Sequence, residues 1–139
     1  MIRVVFDTNI LYSAILQPKG MPARALELVA SGVVIPCVSN AVMEEYRDVL
    51  LRPELDLHSV RRSLLLELLG DVAIHVAPAE TLKISRDEDD NRIYECADAA
   101  MADYIVTGNT RHFTRSYRNT RIVTARQLVE LLGTSPDIV

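Results

Sequence analysis

Short apolar segments that are typical of buried strands alternate with longer amphipathic segments that are typical of helices along this sequence. The apolar segments predict strands at 2–6, 33–37, 72–76, 104–106 and 121–123. The amphipathic segments predict helices at 8–16, 22–30, 40–51, 57–69, 90–102 and from 125 onwards. Because strict alternation of strands and helices favours a parallel sheet with helices on both faces, we predict an α/β fold with three layers (α/β/α) and a central, mostly parallel sheet.

Several helix ends are marked by residues that favour caps or stops. Ser39 or Asn40 is expected to cap the third helix, Gly70 to end the fourth, and Asp89 or Asp90 to open the fifth. Thr124, with Gln127 three positions later, predicts a capping box at the start of the last helix.

The size and composition of the chain fit a single domain over 1–139. It has 139 residues, of which 49% are hydrophobic, so a core can form without disulfide bonds. Cys37 and Cys96 lack the spacing of metal ligands and are expected to be buried free thiols. Since no apolar run approaches the roughly 18 residues of a membrane span, and the amino-terminal segment does not resemble a signal peptide, we expect a cytoplasmic protein.

The charges are unevenly distributed along the chain. The formal net charge is −4, yet no acidic residue occurs between Asp103 and Glu130, a stretch that contains five arginines. Acidic residues are instead concentrated in the run from Asp87 to Asp90. This separation predicts a negative pocket beside a positive rim, where Arg111 and Arg115 would bind phosphate and Phe113 or Tyr117 would stack on a base.

Polar residues follow the predicted strands at the edge where parallel sheets bind ligands. Asp7 follows the first strand directly, and Thr107 and Asn109 follow the strand at 104–106. Each also has a simpler explanation, because Asp is a common helix N-cap and Gly108-Asn109 is a common turn. From position alone, both explanations stand.

The remaining candidates lie on or before helices. Glu44 and Glu45 are adjacent on the third predicted helix, and Glu45 flanks its apolar stripe whereas Glu44 points further round. Four consecutive carboxylates from Asp87 to Asp90 repel one another, and a divalent cation would compensate that repulsion. A solvated acidic loop with an N-cap is the alternative.

Carboxylates that converge at strand ends favour a hard cation. Magnesium and manganese prefer oxygen ligands, and the sequence has no zinc-type Cys/His set, glycine-rich phosphate loop or nucleophile elbow. Metal-assisted hydrolysis of a phosphodiester is the reaction that suits such an acidic site, because the metal supplies hydroxide and stabilises phosphate charge.

Four motifs in order resemble the PIN-domain family, and within it the toxin branch of bacterial toxin–antitoxin systems. They are Val4 to Leu11, Ser39 with Glu45, Asp87 to Ala97, and Ala102 to Asn109. The resemblance covers residues 2 to about 132. It implies that Asp7, Glu45 and Asp90 bind Mg or Mn and that Asn109, where many relatives have Asp, completes the site. Thr8, Asn9, Asp87, Asp89 and Thr107 are expected to support these ligands, and Asp87 or Asp89 could instead share the ligand role with Asp90.

The resemblance also implies a function and partners. It implies an endoribonuclease that cleaves single-stranded RNA, is inhibited by a cognate antitoxin and forms homodimers. Because position 109 is Asn, an alternative function stays open: a PIN-fold module that binds RNA or protein and has weakened catalysis. A receiver-like phosphotransfer domain is the other alternative, but it needs a lysine beside the acidic pocket, and neither Lys19 nor Lys83 follows a strand in the required place.

Overall fold

The computed structural model describes residues 1–113 and 116–133. Its strands are β1 (Ile2–Phe6), β2 (Val34–Val38), β3 (Ile74–His75), β4 (Tyr104–Val106) and β5 (Arg121–Val123). Its helices are α1 (Thr8–Leu16), α2 (Met21–Ala30), α3 (Asn40–Leu50), α4 (Ser59–Val72), α5 (Glu88–Ala100) and α6 (Ala125–Leu132), with a 3-10 helix over Pro53–His58.

The five strands form one parallel sheet in the order β3-β2-β1-β4-β5. The central strand β1 pairs with β2 on one side and with β4 on the other, through Val4 opposite Pro36 and Tyr104. The predicted three-layer α/β/α fold is confirmed. Because β1 is central, the residue that follows it lies in the middle of the carboxyl edge.

The core is built around this central strand. Val4, Val5 and Phe6 are at most 1% exposed, as expected for a strand with neighbours on both sides and helices over both faces. Helix α5 packs against β1, β2 and β4, whereas α2 packs against α1 and α6. This packing fixes the first turn of α5 relative to the end of β1.

Two predicted helix caps are confirmed. The Ser39 hydroxyl accepts a hydrogen bond from the Val42 N–H at 3.2 Å, so α3 begins directly after β2. Thr124 and Gln127 form the complete capping box at the start of α6. Because the capping residues directly follow β2 and β5, the connections are short and α3 and α6 begin close to the sheet.

Three predicted boundaries were wrong. Helix α4 continues through Gly70 to Val72, and the Ala73 N–H still bonds to the Leu69 carbonyl at 3.0 Å. Strand β3 is therefore limited to Ile74–His75 at the sheet edge. The segment before α4 is a separate 3-10 helix, which Pro53 opens.

The start of α5 also differs from the prediction. The N-cap is Asp87, whose side chain accepts a hydrogen bond from the Asp89 N–H at 2.9 Å. Asp89 and Asp90 therefore lie inside the first turn instead of capping it, where the positive end of the helix dipole stabilises negative charge.

Cys37 and Cys96 are buried free thiols, as predicted. Among the described residues, no helix is both long enough and apolar enough to cross a membrane.

Candidate metal-binding cleft

A cleft of about 390 Å³ opens at the carboxyl edge of the sheet. Its walls come from the end of β1, from α1, from α3, and from the first turn of α5. Most of the side chains that line it are acidic or polar: Asp7, Thr8, Asn9, Tyr12, Glu45, Arg52, Asp87, Asp89, Asp90 and His112. The structure thus brings the three carboxylates predicted as metal ligands, Asp7, Glu45 and Asp90, to one cavity.

Hydrogen bonds hold Asp7, at the end of β1, against the end of β4. Its backbone N–H bonds to the Val106 carbonyl at 2.8 Å, and its Oδ2 accepts a hydrogen bond of 2.8 Å from the Thr107 hydroxyl. Asp7 is only 7% exposed and Thr107 is fully buried. Burial raises the pKa of Asp7 above its usual value, and the hydrogen bond from Thr107 partly opposes that rise.

Glu45 reaches the cleft from the second turn of α3. The Thr8 hydroxyl donates a hydrogen bond to Oε2 of Glu45, whereas the adjacent Glu44 is exposed and does not line the cleft. Burial, together with the nearby carboxylates Asp89 and Asp7, raises the pKa of Glu45 to about 7. A carboxylate with so high a pKa lies where added positive charge would be stabilising.

Asp90 lies in the first turn of α5 and is 7% exposed. Its Oδ2 accepts a long hydrogen bond of 3.4 Å from the Ser85 hydroxyl and lies 3.3 Å from Nδ1 of His112. Burial is the main reason that the pKa of Asp90 rises to about 6, and the charges of Asp87 and Asp7 add to the rise. Asp7 and Asp90 both line the cleft, and the charge of Asp7 contributes to the raised pKa of Asp90, so the two carboxylates face the same small volume.

His112 was not predicted as a site residue, because the sequence contains no zinc-type Cys/His set. Ligand atoms of Asp87, Asp90 and His112 lie within 4.8 Å of one another, close enough to share an ion. His112 is placed by the turn after β4, where its N–H bonds to the Asn109 carbonyl at 3.1 Å. No sequence periodicity links a loop residue to a distant helix, so no signal in the sequence pointed to this contact.

Asn109 does not line the cleft. Its Oδ1 accepts a hydrogen bond of 3.2 Å from the Arg111 N–H, and its own N–H bonds to the Thr107 hydroxyl at 3.0 Å. The side chain therefore stabilises the turn that carries Arg111 and His112, which corresponds to the simpler of the two explanations offered by the sequence.

The residues predicted to bind RNA are placed differently from one another. Arg111 is exposed and lines a groove beside the cleft. Phe113 is 2% exposed and packs against Tyr94 with ring centroids 5.4 Å apart. Because its ring belongs to the core, the predicted stacking of Phe113 on a base was wrong. Arg115 lies outside the described residues.

The supporting residues fall into two groups. Thr8 and Thr107 are buried and bond directly to Glu45 and Asp7, as supports for metal ligands would. Asn9, Asp87 and Asp89 are exposed at the cleft wall. A hard divalent cation suits this donor set, because the carboxylates are oxygen ligands. Burial raises the pKa of all three, and repulsion from neighbouring carboxylates adds to the rise for Glu45 and Asp90.

Comparison with known proteins gives three findings. The pattern of the PIN domain family matches residues 3–111. An uncharacterized protein of Methanocaldococcus jannaschii is 30% identical over 111 residues, which cover 78% of this chain and 71% of the relative. The crystal structure of VapBC2 from Rickettsia felis, bound to a DNA fragment from its promoter, includes a chain that superposes with a TM-score of 0.62 at 20% identity, over 88% of this chain and 98% of that one.

Proposed function

The chain belongs to the PIN-domain family, and from this premise we propose that it is a metal-dependent endoribonuclease that cleaves single-stranded RNA. The observation that carries the proposal is the convergence of Asp7, Glu45 and Asp90 on one cleft at the carboxyl edge of the sheet. The negative charge of the cleft repels the negative charge of a phosphodiester. RNA can therefore be cleaved there only if a cation lies between the carboxylates and the phosphate.

In this proposal Asp7, Glu45 and Asp90 hold Mg²⁺ or Mn²⁺. The bound ion supplies a water of lowered pKa and positive charge for the scissile phosphate. The chain fixes the ligands: Thr107 orients the carboxylate of Asp7, and Thr8 orients that of Glu45. Asp87, Asp89 and Asn9 line the cleft as outer polar groups, and Asn109 contributes through the turn that it stabilises.

The central test is RNA cleavage with Mn²⁺ or Mg²⁺ by the wild-type chain and by Asp7→Asn. We expect cleavage that EDTA abolishes and that Asp7→Asn lowers by at least about 100-fold, because a carboxylate ligand is lost. Calorimetric titration with the metal alone provides the second readout. Cleavage that survives both EDTA and Asp7→Asn would show that the nuclease activity resides elsewhere.

We further propose that the protein is the toxin of a toxin–antitoxin pair, acts in the cytoplasm as a homodimer and is inhibited by a cognate antitoxin. This proposal depends on the resemblance of the four motifs to the toxin branch, and the fold is shared with VapBC2. Expression of the wild-type chain in a bacterial host is expected to arrest growth, and Asp7→Asn is expected to relieve the arrest. Light scattering during size exclusion measures the oligomeric state. Unimpaired growth with active soluble protein would argue against the toxin role.

The second candidate is a PIN-fold binding module with weakened catalysis. The observation that favours it is Asn109, whose amide oxygen is engaged with the Arg111 N–H instead of extending the acidic cleft. Metal titration and RNA binding separate the candidates. A module would bind RNA with little or no metal-dependent cleavage, whereas the enzyme would turn over.

A further inference from the structure

A second groove, of about 650 Å³, continues directly from the metal-binding cleft. Asp87, Asp90 and His112 form the wall that the two cavities share, while Ile84, Ser85, Arg86 and Arg111 line the far side. We call this second cavity the flanking groove. Its volume falls within the range of about 300–1,000 Å³ that is usual for small-molecule sites. A chain bound in the cleft therefore has room to continue into the groove.

The far side of the flanking groove is positively charged. Arg86 and Arg111 are both exposed, and within residues 1–113 and 116–133 neither guanidinium group forms an ion pair or a side-chain hydrogen bond. Arginine forms forked hydrogen bonds with phosphate, and two arginines from different loops can bracket one phosphate group. The acidic cleft and the basic groove thus have opposite charge across a single shared wall.

The loop that carries Arg86 is fixed in place by a buried residue. Asn91 is 2% exposed, and its Oδ1 accepts hydrogen bonds from the Ile84 and Ser85 N–H groups at 3.0 and 2.8 Å. Its Nδ2 donates to the Ser85 carbonyl at 2.9 Å. Because these bonds hold the loop on both sides of Ser85, the groove is formed before any ligand binds, which lowers the entropy cost of binding.

From this geometry we propose that the flanking groove binds the nucleotide next to the scissile phosphate of an RNA strand. Arg86 and Arg111 hold its phosphate, and the half-buried Ile84 offers an apolar surface to its base. This inference rests on the proposed nuclease function, since the cleft defines where the scissile bond lies. Asn91 acts as a positioning residue through the loop that it holds.

The test is the binding of a fluorescent single-stranded RNA of about twelve nucleotides, measured by anisotropy in EDTA at several salt concentrations. Arg86→Ala and Arg111→Ala are each expected to lower affinity about tenfold at low salt, as loss of a charged hydrogen bond predicts. Each is also expected to flatten the slope of log affinity against log salt by about 0.7, the contribution of one phosphate contact to a single strand. Arg24→Ala, an exposed arginine on α2, is the matched control and is expected to retain the wild-type slope.

The outcomes distinguish this inference from the proposed function. If both groove variants keep the wild-type RNA affinity, the wild-type salt slope and metal-dependent cleavage, the inference alone is overturned. The two arginines would then be available to bind a protein partner instead. Weakened RNA binding together with unchanged Mn²⁺ affinity would support it. An equal loss in Arg24→Ala would overturn it too, because the effect would then reflect overall charge. A wild-type chain that neither binds nor cleaves RNA when Mn²⁺ is present would overturn the function and the inference together.

Discussion

The Thr107 hydroxyl donates a hydrogen bond of 2.8 Å to Oδ2 of Asp7 and so joins the ends of the central strand β1 and its neighbour β4. Both residues are almost entirely buried, so no bulk water replaces this bond if it is lost. The contact fixes the orientation of the carboxylate at the wall of the cleft. Thr107 therefore links the fold of the sheet to the geometry of the proposed metal site.

Replacing Thr107 with valine is expected to weaken metal binding. Valine keeps the shape but removes the donor, so the pKa of Asp7 rises further and the carboxylate loses its orientation. Metal affinity should fall by about tenfold or more, and the free energy of unfolding by about 1–2 kcal/mol. Calorimetry and denaturant unfolding measure the two effects, with Thr110→Val in the exposed turn as the control. Unchanged metal affinity would show that Asp7 needs no such support.

The adjacent residues Glu45 and Glu44 provide a matched pair. Glu45→Gln is expected to lower metal affinity and cleavage by at least about tenfold, because it removes a charged ligand from the cleft. Glu44→Gln changes the net charge equally but lies on the exposed side of α3, so it should stay within about twofold of the wild type. The reverse pattern would mean that Glu44, and not Glu45, faces the cleft.

The raised pKa values of Glu45 and Asp90 predict how the stability of the metal-free chain depends on pH. Their values of about 7 and about 6 in the folded chain exceed the ordinary values of 4.5 and 3.8, mainly because of burial. The folded state therefore binds protons more tightly than the unfolded state, and stability falls as pH rises through this window. In EDTA, Tm should be higher at pH 5 than at pH 8.

Two controls test the origin of that pH dependence. Glu45→Gln should flatten the decline of Tm with pH, whereas Glu44→Gln should not. Saturating Mn²⁺ at pH 8 should raise Tm, because binding to the folded state alone stabilises it. If the Tm of the metal-free chain instead increased from pH 5 to pH 8, burial of these two carboxylates would not be the main cause of the pH dependence of stability.

The sequence predicts the part of the site that follows from strand and helix periodicity. Parallel strands end at one edge, so Asp7 and Thr107 could be placed together from their positions after β1 and β4. Helical spacing likewise distinguished Glu45 from Glu44. These relationships depend on regular geometry, which a single sequence encodes in its apolar pattern.

The parts that the sequence could not predict depend on loops. His112 contacts Asp90, and Asn91 holds the Arg86 loop, only because irregular turns bring them there. Phe113 was expected at the surface because arginines surround it, yet it fills the core beside Tyr94. Neighbouring charges in a sequence do not report the direction of a single aromatic side chain in a loop.

His112 is expected to influence which metal binds. Its Nδ1 lies 3.3 Å from Oδ2 of Asp90, so an ion between Asp87, Asp90 and His112 would gain a nitrogen ligand. Imidazole suits Ni²⁺ and Zn²⁺, whereas Mg²⁺ prefers oxygen. His112→Ala should therefore lower Ni²⁺ affinity about tenfold or more but Mg²⁺ affinity by less than about twofold. The control is His75→Ala in the edge strand β3, and an equal loss for both metals would argue against direct ligation.

Asn109→Asp separates what the family resemblance implies from what the geometry shows. The resemblance implies that an acid at this position would complete the site, and the added charge would then strengthen metal binding. In the structure, however, Oδ1 of Asn109 accepts from the Arg111 N–H, and an aspartate oxygen would accept the same bond.

We therefore expect Asn109→Asp to leave Mg²⁺ affinity and cleavage within about twofold of the wild type, because a charge outside the cleft is screened by solvent. Isothermal titration with Mg²⁺ and an RNA cleavage assay measure both. Thr110→Asp adds the same charge at the next position and controls for a general effect of charge. A gain of tenfold or more in Asn109→Asp alone would contradict this expectation: it would show that residue 109 turns into the cleft when metal binds, and that the native asparagine limits catalysis.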